Sequence, residues 1–91
     1  MSHTTKWSFE KLSALYKKAN QIASDDSKSF LAKVIELKLV LHQPFCYIDE
    51  DWDTMYIMCA EYKDFEHGCA FEVIVNFGTK EIVVSLIDCS Q

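Results

Sequence analysis

Ninety-one residues with 49% apolar and 13% aromatic content describe one folded domain, and two glycines and one proline leave little room for linkers or low-complexity tracts. Such a chain buries a little over roughly 60% of its unfolded surface, enough for one modest core. The formal net charge of −5 hides a division. Residues 1–42 hold seven lysines against four acids, and residues 43–91 hold two lysines against ten acids. No arginine is present, so a bidentate grip on phosphate or on guanine is missing, and an acidic half repels nucleic acid.

The first element in chain order is an amphipathic helix over about 8–23. Phe9, Leu12, Tyr16, Ala19 and Ala23 step by three and four, and Leu15 and Ile22 widen the stripe. Ser8 reads as its N-cap, with Trp7 stapled to Leu12. "SDDS" at 24–27 interrupts the pattern. A second helix is expected over about 28–42. There Ile35, Leu37, Leu39 and Leu41 also alternate as a strand would, but the apolar pattern is long enough for a helix and Pro44 closes it.

Three runs rich in β-branched and aromatic residues follow, over about 54–62, 69–77 and 80–88, with Gly78-Thr79 as a two-residue hairpin turn between the last two. Alternation puts Cys69, Phe71, Val73, Val75, Phe77, Ile82, Val84 and Leu86 toward the helices. It turns Glu72, Ile74, Asn76, Val83, Ser85 and Ile87 away from them. The expected architecture is α+β: two N-terminal helices packed on one face of a three- to four-stranded antiparallel β-meander, in a single domain spanning 1–91.

The stretch "FCYIDEDWDTMYIMC" carries four acids in five positions. Asp49, Asp51 and Asp53 imitate the opening of an EF-hand loop, but its sixth and twelfth positions hold Thr54 and Ala60 where glycine and a bidentate glutamate are needed. A calcium loop is excluded. Asp49, Glu50, Asp51 and Asp53 around Trp52, Tyr47 and Tyr56 combine steering charge with aromatic anchors, as a protein-binding epitope does. The plain alternative is a solvated acidic loop leading into a strand. Glu61, Asp64, Glu66 and Glu72 extend the acidic surface. Imitation of DNA would need them or a second copy, because alternate strand residues sit about 6.6 Å apart and duplex charges about 1.7 Å apart along the axis.

Cys46, Cys59, Cys69 and Cys89 contain no C-x-x-C pair, and His42 with Cys46 and His67 with Cys69 are weak ligand spacings. The N-terminal residues carry no apolar leader. A cytoplasmic chain with four free thiols and no metal or other cofactor is therefore expected. An enzyme could use only His67, Cys69 and Asp64 or Glu66, with no phosphate cradle or nucleophile elbow beside them, so no catalytic residue is expected.

These features point to a non-catalytic module that binds, and blocks, a protein with a basic functional surface, such as a nuclease or a nucleic-acid-binding protein. By type this is the immunity, anti-restriction or DNA-mimic class of inhibitor, without contact to nucleic acid or membrane. The alternatives are a structural or regulatory subunit acting through a homodimer, with Ile74, Val83 and Ile87 as the self-association residues, and a Cys/His metal protein.

Overall fold

The structure is a computed structural model that describes residues 2–44, 46–60 and 70–87; for residues 2–11 and Ala60 it describes the backbone only. Helix α1 (Ser2–Ala23) and helix α2 (Phe30–Val40) precede four strands, β1 (Cys46–Glu50), β2 (Thr54–Ala60), β3 (Ala70–Asn76) and β4 (Glu81–Ile87). The strands form one antiparallel sheet in the order β1-β2-β3-β4. The α+β class and the meander follow the expectation from sequence, with four strands. No helix among the described residues is long and apolar enough to cross a membrane.

The core lies between the helices and one sheet face. Register brings Met55, Ile57 and Cys59 of β2 opposite Val75, Val73 and Phe71 of β3, and all six are fully buried. Leu12, Leu15, Ala19 and Ile22 of α1 and Val34 and Leu37 of α2 close over them, with Leu41 just beyond α2. Tyr16 meets Phe71 edge to face at 5.7 Å, and Phe30 meets Phe77 at 6.1 Å, so the helices are keyed to opposite ends of β3. Ile82 and Val84 are half-buried as expected of the helix side, but Leu86, near the end of the edge strand β4, stays exposed.

Several boundaries differ from expectation. Helix α1 begins at Ser2, so Ser8 lies inside it and the cap and staple at Trp7 are set aside. Residues 2–7 contain no glycine or proline to halt a helix already anchored through Leu12 and Leu15. Helix α2 is capped by Ser29, whose side chain accepts from the Ala32 N–H at 3.2 Å, and it ends at Val40 before Pro44 is reached. Asp25 instead holds the connecting turn, its carboxylate accepting from Ser27 N–H and Oγ–H at 3.0 and 2.6 Å.

The β3–β4 turn has four residues, 77–80, since Asn76 pairs with Glu81. Asn76 Oδ1 accepts from the Thr79 N–H at 3.0 Å, and the left-handed residue is Lys80, at φ 61°. Gly78 eases this turn: a Cβ there would sit 3.3 Å from Asn76 Oδ1, a tight contact that this side chain would have to yield to slightly.

Candidate functional site

The acidic stretch spans the β1–β2 hairpin: Asp49 and Glu50 end β1, and Asp51, Trp52 and Asp53 form the turn that leads into β2. The Asp51 N–H donates to Thr54 C=O at 2.7 Å, closing a two-residue tip of Trp52 and Asp53. The Phe77 N–H donates to Asp53 C=O at 2.9 Å and ties this tip to the end of β3.

Pleating then separates consecutive acids. Glu50 shares the helix-side face with Ile48 and pairs with Lys38 of α2 at 3.0 Å. Asp49 and Tyr47 are on the opposite face, where Asp49 stands across from Tyr56 and Tyr47 across from Met58. At the tip Asp51 is exposed, Asp53 is half-buried, and Trp52 is 89% exposed.

Tyr56 and Glu72 meet on the same outer face, the phenol donating to the carboxylate at 2.8 Å. That hydrogen bond, with partial burial, raises the Tyr56 phenol above its ordinary value. The row Asp49–Tyr56–Ile74–Val83 runs across all four strands, and the row Tyr47–Met58–Glu72–Ser85 runs beside it. Neither helix covers these rows. Tyr47, Ile74 and Val83 are exposed, while Met58, Tyr56 and Ile87 are half-buried. Among the described strand residues this face carries Asp49, Glu72 and Glu81 and no lysine.

Of the expected partner-binding residues, register thus brings Tyr47, Asp49, Tyr56 and Glu72 onto one platform, with Asp51, Trp52 and Asp53 at its rim. Glu50 is turned away and neutralised. Glu61, Asp64 and Glu66 lie outside the described residues, as do His67, Cys69 and Cys89. The expected self-association residues Ile74, Val83 and Ile87 share the platform. Sequence reasoning had not assigned Met58 to it, although the alternation of β2 from Tyr56 carries that signal.

The expectation of four free thiols is overturned. Cys46 and Cys59 form a disulfide across the β1–β2 pair, with their Cα atoms 4.1 Å apart. A hairpin pairs residues equally far from its tip, and these two cysteines are equidistant from Trp52–Asp53, so a known tip would have revealed the bond. Cys46 is also thereby removed from any ligand set with His42. Among the described residues no group of three or more His, Cys, Asp or Glu side chains could hold a metal ion.

Comparison with family models, with curated proteins and with solved structures returns no match.

Proposed function

We propose that this chain is a non-catalytic binding module whose outer sheet face, rimmed by the β1–β2 tip, docks and blocks a protein with a basic functional surface. One observation carries the reading: an uncovered face holds Tyr47, Tyr56, Met58, Ile74 and Val83 beside Asp49 and Glu72, with no lysine among its described residues. Aromatic and apolar side chains supply the part of a binding surface that holds, and unbalanced carboxylates supply the part that steers. A nuclease or nucleic-acid-binding protein, whose working surface must be cationic, is the fitting partner class. The inhibitor is then of the immunity, anti-restriction or DNA-mimic type.

Neighbouring strands are about 4.8 Å apart, so carboxylates on β1, β3 and β4 are far sparser than duplex phosphates. Recognition by this face therefore rests on its aromatic and apolar residues, with charge setting the approach. We propose a cytoplasmic location, in which the Cys46–Cys59 bond persists only while reducing thiols do not attack the half-buried Cys46.

The test is surface plasmon resonance of the full chain against a panel of basic nucleases and DNA-binding proteins, with duplex DNA as competitor. A binder should associate more slowly as salt rises, and DNA should displace it. Replacing Asp49, Asp51 and Asp53 together by Asn should slow association at low salt by about tenfold, the lower end of electrostatic steering. Ile74→Lys should instead hasten dissociation. A triple variant that associates as fast as the parent at low salt removes the electrostatic reading.

A further inference from the structure

Helix α2 buries Val34 and Leu37 but leaves Leu31, Ile35 and Leu39 at 65%, 59% and 73% exposure. Spacing of four puts these three on one ridge along the outside of the helix, with exposed Ala32 beside it as a shallow groove. A helix apolar on nearly every side is one expected to be buried on nearly every side. Here the sheet and α1 cover only one of them.

We infer that this face of α2 is the contact between two copies of the chain, crossing antiparallel about a two-fold axis near Ile35. Charge selects the occupant. The charged side chains bordering the ridge are already paired within the chain, Lys28 with Glu36 and Lys38 with Glu50. The ridge therefore has no unbalanced charge with which to attract a charged partner or to repel its own copy. Antiparallel crossing also sets the positive N-terminal end of each helix over the negative C-terminal end of the other.

The outer sheet face makes the opposite case. Two copies of it would bring the carboxylates of Asp49, Glu72 and Glu81 together, with no lysine among the described strand residues of the face to offset them. Pairing through α2 leaves both sheet faces free and pointing outward. Because the same patch serves both copies, assembly closes at two. One helix face is small beside a standard interface of about 800 Å² per partner, so the association is weak.

Sedimentation equilibrium of the full chain from micromolar to millimolar concentration tests this. The average mass should climb from 10.5 kDa toward twice that value. Ile35→Lys and Ile35→Glu should each remain monomeric throughout. An equimolar mixture of the two should regain the dimer, because the axis sets Lys against Glu; that recovery also shows that both variants are folded. Val83→Lys should dimerise like the parent. A parent monomeric at millimolar concentration, Ile35 variants that dimerise alone, a mixture that stays monomeric, or loss of the dimer in Val83→Lys overturns the inference.

Discussion

The Tyr56 phenol and the Glu72 carboxylate are the one side-chain hydrogen bond between strands on the outer face of the described sheet. Glu72 raises the phenol's pKa, so the folded state holds that proton more tightly than the unfolded chain does. A raised value contributes stability that is fully present below the ordinary tyrosine range and is lost as pH rises through the folded value. Tyr56→Phe should therefore cost about 1 kcal/mol near neutral pH. The deficit should shrink in alkali as pH rises through the raised phenol value, where the parent loses the bond too. Urea denaturation of both proteins at the two pH values measures it. The same sign applies to Lys28, raised by its hydrogen bond to Glu36, and the opposite sign to Asp25, lowered by its hydrogen bonds to Ser27.

At the scale of the element, α2 joins two roles in one helix. Its inner side is core: Leu37 is fully buried, and Leu37→Ala should destabilise by about 2–5 kcal/mol through lost burial and a residual cavity. Its outer side contributes little to the monomer. Leu39→Ala should change dilute-solution stability by about 0.5 kcal/mol or less. Thermal denaturation of the two variants at micromolar concentration separates the sides, and equal losses would mean that the ridge packs against the chain itself. The β1–β2 hairpin has a similar division. Its tip presents Trp52 to solvent, while Asp51, Asp53, Thr54 and Phe77 fix that tip through backbone hydrogen bonds.

Across the whole molecule, the charge division of the sequence becomes a division in space. The described lysines up to Lys38 belong to the helices and their connection, while the uncovered sheet face holds carboxylates without a cation among its described strand residues. Strand β1 is a sheet edge, short and joined to the rest of the sheet through β2. The Cys46–Cys59 bond secures it, closing a loop with a sequence separation of 13. Alkylation without reductant, followed by digestion and mass spectrometry, should recover the two cysteines as one linked pair of peptides. Reduction should lower stability by about 3 kcal/mol, the entropy of a loop of this length. Recovery of Cys46 and Cys59 as separately alkylated thiols would restore the expectation from sequence.

Periodicity alone determined the first helix, the placing of the strand-like runs after it, and which side chains of β3 face the core. Each of those depends on residues three, four or two apart, and local spacing is visible in a linear chain. Tertiary structure alone decided the rest. Whether Ile35 to Leu41 curl or extend was settled by packing over the sheet, since the residues satisfy both periods. The Cys46–Cys59 pair required the hairpin register, and a shift of one residue would have put the two on opposite faces. Glu50 parted from Asp49 for the same reason: neighbours in a strand point to opposite sides, so an acidic run legible as one cluster became one paired carboxylate beneath the sheet and an unbalanced set above it.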